Sequence, residues 1–207
     1  MTGIPVRKKV HDLARQAYDR EWRGPLRQAH GISDDALPVV LIVGGGTGAL
    51  SLNHCVYDAL GELTRISHVV HVTGKGKGSV PAGSYIRERY HAYEFLKEEL
   101  IEYAAFADCV VTRAGMGMLS ELSVLGKPTI IIPIPQSHQE KNAVYFERQK
   151  HAAIYLVQND ITAEKFVRAI QRVLKDDALR QELSQNMKLA LPQDGAQNVK
   201  GLIEEVI

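Results

Sequence analysis

The sequence predicts a doubly wound α/β domain built on a parallel sheet of about six strands. Strand-like apolar runs and helical patterns alternate about six times along the chain, as they do in sheets with helices on both faces. The runs VVLIV (39–43) and TIIIP (129–133) lack polar alternation. This is expected of parallel strands that are covered on both sides.

Each predicted element follows from its local pattern. The helix expected over 163–174 is the clearest, because its apolar residues share one face and Thr162 is a good N-cap. Apolar runs predict strands at 38–45, 68–72, 90–95, 109–112, 129–133 and 154–157. Helical patterns predict helices at 48–60, 100–107, 116–125, 139–150, 163–174, 177–190 and 195–206. Residues 1–36 are polar and arginine-rich, and we expect a helix or linker there.

Composition narrows the class of protein. The chain has 207 residues, of which 45% are hydrophobic and 24% charged, which is typical of a globular protein. A net charge of +1 gives no support for a nucleic-acid partner. Cys55 and Cys109 each lie in an apolar stretch, so we expect reduced core thiols and a cytoplasmic protein. We find no signal peptide and no transmembrane run.

A glycine-rich loop, GGGTGAL (44–50), follows the first strand. Gly44, Gly46 and Ala49 match the dinucleotide pattern G-x-G-x-x-A. A nicotinamide site would also need an acidic residue at the end of the second strand, but that strand ends in VTGKGK (72–77). The pattern still favours a phosphate held by backbone N–H groups at a helix end, and a tight turn without a ligand is the alternative.

A second glycine turn, RAGMGMLSE (113–121), follows the fourth strand. Gly115 and Gly117 allow close backbone approach at a helix N-terminus. Glu121, one turn into the helix, can accept two hydrogen bonds from a ribose diol. The alternative is a solvated glutamate that interacts only with the helix dipole.

A third loop, PIPQSHQEKNA (133–143), leaves the fifth strand. His138, Gln139 and Asn142 begin the next helix and can both donate and accept hydrogen bonds, as sugar hydroxyls do. His138 alone could equally be a surface histidine near the helix cap. We find no metal-ligand spacing, nucleophile elbow or Walker A loop, and expect no cofactor.

Together, GGGTGALSLN, TGKG, YEFL, CVVTRAG, LSE, GKPTIIIP and HQEKNA resemble the C-terminal half of the MurG-like UDP-N-acetylglucosamine transferases of glycosyltransferase family 28. The opening TGIPVR (2–7) is similar to the segment at that family's interdomain boundary. The resemblance covers nearly the whole chain. It implies one half of a GT-B glycosyltransferase, with residues 1–36 as linker remnant and N-terminal helix and 37–207 as a Rossmann-like UDP-sugar-binding domain.

The resemblance also implies roles for individual residues. Arg7 would lie near the diphosphate, the Leu96 backbone would contact the uracil edge, and Glu121 would bind the ribose. The phosphate loop and the turn beneath the diphosphate and sugar would be formed by Gly45, Gly46, Thr47, Gly48, Gly115, Met116 and Gly117. The family often has serine where Gly46 stands, so a phosphate contact shifts to Thr47.

The sugar-binding positions implied by the resemblance are His138 and Gln139, which would contact GlcNAc hydroxyls, and Asn142, which lies in the same motif. His138 replaces a glutamine found in some members, which leaves the donor sugar open. The alternatives are another UDP-sugar transferase, such as a glycolipid synthase or a split GlcNAc transferase, and a nicotinamide-binding module.

The resemblance implies inverting, metal-independent transfer of GlcNAc to lipid I in peptidoglycan synthesis. The acceptor half and its base would lie N-terminal to TGIPVR, so the expected partners are UDP-GlcNAc, that half and, through it, the lipid-linked acceptor. The start of the chain at the boundary motif favours an excised domain over a natural split. The whole enzyme is expected at the inner face of the cell membrane as a peripheral protein.

Overall fold

A six-stranded parallel sheet forms the centre of the computed structural model, which describes residues 2–33, 36–45, 49–78 and 88–206. Its described strands are β1 (Val39–Val43), β2 (His68–Val72), β3 (Tyr90–Tyr93), β4 (Cys109–Thr112), β5 (Thr129–Ile131) and β6 (Ala153–Tyr155). Its described α-helices are α1 (Lys8–Ala14), α2 (Arg20–Ala29), α3 (Leu50–Ile66), α4 (Glu99–Phe106), α5 (Met116–Leu125), α6 (His138–Val144), α7 (Ala163–Lys175), α8 (Asp177–Ala190) and α9 (Gly195–Val206).

The strand order is β3-β2-β1-β4-β5-β6, which confirms the predicted doubly wound fold. The order reverses between β1 and β4, where Val43 pairs with Thr112 at the carboxyl ends of the two strands. In doubly wound sheets ligands bind outside the carboxyl ends of the strands at this switch point. The fold therefore fixes where a site should be sought.

Helices cover both faces because neighbouring strand residues point to opposite sides. Val40 and Ile42 pack with α3 and α7, whereas Val39 and Leu41 pack with α1, α4 and α5. All five residues of β1 are buried. This explains why VVLIV shows no polar alternation.

Several boundaries differ from those predicted. The strands expected to end at residues 95 and 133 end at Tyr93 and Ile131, because the chain leaves the sheet to form loops at its carboxyl edge. The helix expected over 139–150 begins at His138 and passes at Tyr145 into a π-helical turn. The N-terminal region forms the two helices α1 and α2; α1 packs against α4 and α5, and α2 packs against α4. Cys55 and Cys109 are buried and unpaired, as predicted.

Candidate functional site

A cavity of 220 Å³ opens at the switch point of the sheet. Val43 and Thr112, the last residues of β1 and β4, form part of its wall, together with residues from the loop after β3 and from α5. Its described lining is Val43, Gly45, Val72, Glu94, Phe95, Leu96, Leu100, Thr112, Met118 and Glu121. Of the predicted site residues, Gly45, Leu96 and Glu121 therefore meet in one cavity.

The segment after β3 is held by hydrogen bonds from the loop that follows β2. The backbone N–H of Gly74 donates to the Glu94 carbonyl over 3.1 Å, and the N–H of Gly76 donates to Glu94 Oε1 over 2.9 Å. Leu96 is buried, while the side chain of Phe95 is 63% exposed. The result is a firmly held backbone with an apolar ring beside the cavity mouth.

The glycine turn before α5 leaves its helix end open. Gly115 is the N-cap with an extended φ of −74°, and no side chain caps the helix. A Cβ added at Gly115 or Gly117 would meet nothing within 4 Å. Since the first N–H groups of a helix have no partner within it, those around Met116 can donate to a ligand.

Glu121 is the sixth residue of α5 and therefore lies in the second turn of the helix. An interaction with the helix dipole would require a position in the first turn. The Glu121 side chain is 17% exposed, and Oε1 accepts from Nε of Arg7 over 2.9 Å. Arg7 also lies 3.5 Å from Glu98. The interpretation of Glu121 as a merely solvated glutamate is therefore wrong.

The polar residues of α6 have different environments. Asn142 Nδ2 donates to the Ala114 carbonyl over 3.0 Å, which ties α6 to the glycine turn. Gln139 Oε1 accepts from the backbone N–H of Ile134 over 3.2 Å. His138 is exposed at the first position of α6, and Ser137 is the N-cap.

Residues near these loops adopt uncommon backbone angles. Gln136, just before α6, has a φ of +56°, which is unusual for a residue with a side chain and is found often at functional sites. Gly45 has a φ of +91°, which glycine adopts without strain. Gly46, Thr47 and Gly48, the rest of the predicted phosphate loop, lie outside the described residues.

Arg113 was not singled out by the sequence, although it opens the motif RAGMGMLSE. Its side chain is almost fully buried at the carboxyl edge, where NH1 donates to the carbonyls of Ile132 (2.8 Å) and Pro133 (3.2 Å). NH2 donates to Ser51 Oγ over 3.2 Å, and Ser51 donates to Gln158. Burial lowers the pKa of Arg113.

Asn53 is a second residue that the sequence did not reveal. Its Nδ2 donates to the carbonyls of Thr73 (2.9 Å) and Lys77 (3.2 Å), and its Oδ1 lies 3.0 Å from Nε2 of His71. Burial lowers the pKa of His71 to about 4, so the ring stays neutral near pH 7. This network ties α3 to the loop that follows β2. No spacing rule predicts it, because its members meet only in the folded chain.

The strand order and the cavity at the switch point define the chain as a doubly wound α/β domain of the GT-B type. The chain belongs to glycosyltransferase family 28: the model of that family's C-terminal domain matches residues 39–199. This match confirms the predicted resemblance, and the alternative of a nicotinamide-binding module is wrong.

Two curated relatives carry the name UDP-N-acetylglucosamine--N-acetylmuramyl-(pentapeptide) pyrophosphoryl-undecaprenol N-acetylglucosamine transferase. The relative from Roseiflexus sp. (strain RS-1) is 29% identical over 232 residues and aligns with 100% of this chain and 51% of its own length. The relative from Lachnoclostridium phytofermentans is 35% identical over 175 residues, covering 82% of this chain and 47% of its own. The chain thus spans about half the length of these relatives.

Solved structures share the fold. MurG of Acinetobacter baumannii matches 86% of this chain and 52% of its own with a TM-score of 0.69 and 23% identity. A single-residue variant of Os79 from O. sativa, solved in complex with UDP, matches 97% of this chain and 48% of its own with a TM-score of 0.66 and 18% identity. Within the part of the chain described by the structure, no helix is long and apolar enough to cross a membrane.

Proposed function

We propose that this chain is the donor-binding half of a glycosyltransferase that transfers GlcNAc from UDP-GlcNAc to lipid I in peptidoglycan synthesis. The observation that carries the proposal is the 220 Å³ cavity at the switch point, bounded by Leu96 and Glu121. The names of the curated relatives, about half of whose length this chain spans, support the donor and the pathway.

The cavity is the proposed site of the uracil base. It is smaller than the roughly 300–1,000 Å³ pockets that enclose drug-sized ligands, and so suits one flat ring. Leu96 and Met118 provide apolar contact, and the backbone at Leu96 would hydrogen-bond the edge of the base. The exposed Phe95 ring lies beside the opening.

The ribose would bind to Glu121 at the rim of the cavity. A carboxylate has about four lone-pair sites, so Glu121 can accept from both ribose hydroxyls while it still accepts from Arg7. Because Arg7 and the ribose would both donate to Glu121, the Arg7 guanidinium would lie beside the nucleotide. Arg7 would then turn part of its donor capacity toward the diphosphate.

The diphosphate would lie between the loop at Gly45 and the open N-terminus of α5. Backbone N–H groups at Met116 and Gly117 would donate to its oxygens. As the sugar–oxygen bond breaks, negative charge grows on the leaving UDP. These fixed dipoles, with Arg7, would stabilise that charge without rearrangement.

The GlcNAc would extend toward α6. We assign His138 and the amide nitrogen of Gln139 to its hydroxyls, whereas Asn142 would act indirectly, by holding the glycine turn through Ala114. The transfer itself would be inverting and would not require a metal: an acceptor hydroxyl attacks the anomeric carbon as UDP departs. The acceptor half, supplied by a further domain or subunit, would provide the base and bind the lipid.

Calorimetric titration of the domain tests the proposal. UDP and UDP-GlcNAc should bind with or without EDTA, UDP-galactose should bind more weakly than UDP-GlcNAc, and NAD should not bind. Incubation of the domain with UDP-GlcNAc and lipid I should give no product above the no-enzyme control. A strict need for Mg²⁺ or Mn²⁺, tighter binding of UDP-galactose, or turnover by the domain alone would each contradict the corresponding part of the proposal.

A further inference from the structure

We infer that Glu94 is a positioning residue for base recognition. Its carboxylate ties the backbone that would hydrogen-bond the base to residues 73–77 (the β2 loop), and Asn53 anchors this loop to α3. The inference rests on the proposed function for the identity of the base. The chain of hydrogen bonds from α3 to the wall of the cavity follows from the described residues alone.

The first step is the link between the cavity wall and the β2 loop. Glu94 lies in the cavity lining together with Phe95 and Leu96. Its Oε1 accepts from the backbone N–H of Gly76 over 2.9 Å, and its carbonyl accepts from the N–H of Gly74 over 3.1 Å. One lining residue therefore holds the loop through both its side chain and its backbone.

The second step is the shape of the β2 loop. The N–H of Thr73 donates to the Tyr93 carbonyl over 2.9 Å, at the exit of β3. Gly74 and Gly76 have φ angles of +91° and +67°, which glycine adopts without strain. The N–H of Lys77 donates to the Gly74 carbonyl over 3.1 Å and closes the turn. The loop is therefore a defined turn that lies against the start of the base-binding segment.

The third step is the anchor on α3. Asn53 is 1% exposed, and its Nδ2 donates to the carbonyls of Thr73 (2.9 Å) and Lys77 (3.2 Å), the first and last residues of the β2 loop. Its Oδ1 must then accept from His71 Nε2, which lies 3.0 Å away. The neutral ring has one N–H, so Nδ1 accepts from the Tyr90 hydroxyl over 3.0 Å. The core thus fixes the orientation of the Asn53 amide.

The fourth step is the dependence of the site on these contacts. Residues 94–98 lie between β3 and α4, so the ladder of the sheet does not hold them. A backbone that recognises the edge of a base must be held to within about 0.5 Å. Loss of the Glu94 carboxylate would loosen the segment at Leu96, whereas Glu121 on α5 would keep its position. Recognition of the base and recognition of the ribose should therefore separate.

The first test is calorimetry with UDP, CDP and the 2′,3′-dideoxy analogue of UDP. The N4 amino group of cytosine donates where uracil O4 accepts, so the parent should bind UDP at least about tenfold more tightly than CDP (the base preference). Glu94→Ala should lower the base preference about three- to tenfold, for the loss of one hydrogen bond. Glu94→Gln should keep most of it, because its amide oxygen can still accept from Gly76. The preference for UDP over the dideoxy analogue (the ribose preference) should equal that of the parent.

The matched control is Asp176→Ala. Asp176 is exposed like Glu94, and its carboxylate also accepts one backbone N–H over 2.9 Å, from Leu179 at the start of α8. This variant should lose stability through the lost cap but keep the base preference of the parent. A fall in base preference in the control would show that general destabilisation accounts for the effect, and would overturn the inference.

The second test asks whether Asn53 acts through the same loop. Asn53→Asp keeps an oxygen that can accept from His71 and removes the amide that donates to the two loop carbonyls. It should lower the base preference, although Asn53 is not in the described lining of the cavity. In the double variant with Glu94→Ala the two losses should be less than multiplicative, because both act on one loop. Fully multiplicative losses would contradict the chain of contacts.

A third measurement does not depend on Asn53→Asp folding or on any ligand. The Gly76 amide should exchange its hydrogen at least about tenfold faster in Glu94→Ala than in the parent, because its acceptor is gone, and Glu94→Gln should restore most of the protection. Equal exchange in the parent and in Glu94→Ala would overturn the inference.

These results separate the inference from the proposed function. If the parent binds no uridine nucleotide, the proposed function fails, and the role of Glu94 in base recognition fails with it. If the parent binds UDP and Glu94→Ala keeps the full base preference, the inference is overturned and the proposed function stands. Equal losses in Glu94→Gln and Glu94→Ala, or a parallel fall in the base and ribose preferences, would also overturn the inference.

Discussion

At the amino edge of the sheet, Arg23 donates to Asp108 over 2.7 Å, and the same carboxylate accepts from the backbone N–H of Val39 over 2.8 Å. At the carboxyl edge, Arg113 meets only carbonyl and hydroxyl oxygens among the described residues. Both side chains are largely buried, so both need their charge balanced. The amino edge balances its arginine with a carboxylate of the chain, whereas the described partners of Arg113 at the carboxyl edge are neutral oxygens.

Lysine provides a second contrast. Lys127 is 1% exposed at the amino edge, where Nζ lies 3.3 Å from the Ala107 carbonyl and 4.8 Å from the centre of the Tyr18 ring. Burial lowers its pKa to about 7, so Lys127 can become neutral near physiological pH. Arg113 has no such option. A charge that cannot be removed, at the edge where ligands bind, indicates function more strongly than burial alone.

The largest expected effect is on stability at the amino edge. Asp108→Ala leaves Arg23 without its partner and the Val39 N–H without an acceptor, so it should cost about 2–4 kcal/mol, allowing for partial exposure of the pair. Urea denaturation measures the loss. Glu164→Ala, which removes an exposed helix pair with Arg168, should cost less than about 1 kcal/mol. The UDP affinity of folded Asp108→Ala should equal that of the parent. A marked fall in affinity would contradict the assignment of stability to the amino edge and ligand binding to the carboxyl edge.

Lys127 should make stability depend on pH. The unfolded lysine, with an ordinary pKa near 10.4, binds its proton more tightly than the folded one, so stability should rise as pH increases above about 7. Between pH 7 and 8.5 the gain is at most about 2 kcal/mol, from 1.36 kcal/mol per pKa unit. Urea midpoints for the parent and Lys127→Met across this range test it. Equal slopes for the two proteins would contradict the lowered pKa.

Much of the fold could be predicted from the sequence, because buried parallel strands and amphipathic helices leave strong periodic patterns. The helix over Met116–Leu125 was predicted to the residue. The glycine turn before that helix was also found, since two glycines at a strand–helix junction are typical of a backbone that must approach a ligand closely. The strand ends were less accurate, because the point where a chain leaves a sheet depends on tertiary contacts.

The site was harder to predict wherever the partners are distant in sequence. The Arg7–Glu121 pair joins residues 114 positions apart, and no local pattern reveals it. Asn142 was predicted to contact the sugar because of its chemistry, yet its amide donates to Ala114. Arg113 was overlooked because a single arginine after a strand has no special appearance until its burial is known.

The smallest expected effect concerns Asn142. If it holds the glycine turn, Asn142→Ala should weaken UDP and UDP-GlcNAc by the same factor, about three- to tenfold, for the loss of one hydrogen bond. If it contacts the sugar, only UDP-GlcNAc should weaken. Calorimetry with both ligands distinguishes these results, with Lys141→Ala as an exposed control on the same helix. A loss confined to UDP-GlcNAc would show that the indirect role is wrong.

The central claim, that the cavity at the switch point binds a uridine nucleotide with Glu121 on its ribose, is tested most directly by one comparison of ligands. UDP and its 2′,3′-dideoxy analogue are titrated against the parent, Glu121→Ala and Glu121→Gln. The parent should prefer UDP by about 10- to 100-fold, which is less than two full charge-assisted hydrogen bonds because water partly replaces the lost contacts. Glu121→Ala should bind the two ligands equally, and Glu121→Gln should fall between. If Glu121→Ala discriminates between the two ligands as the parent does, Glu121 does not bind the ribose, and the account of the site is contradicted.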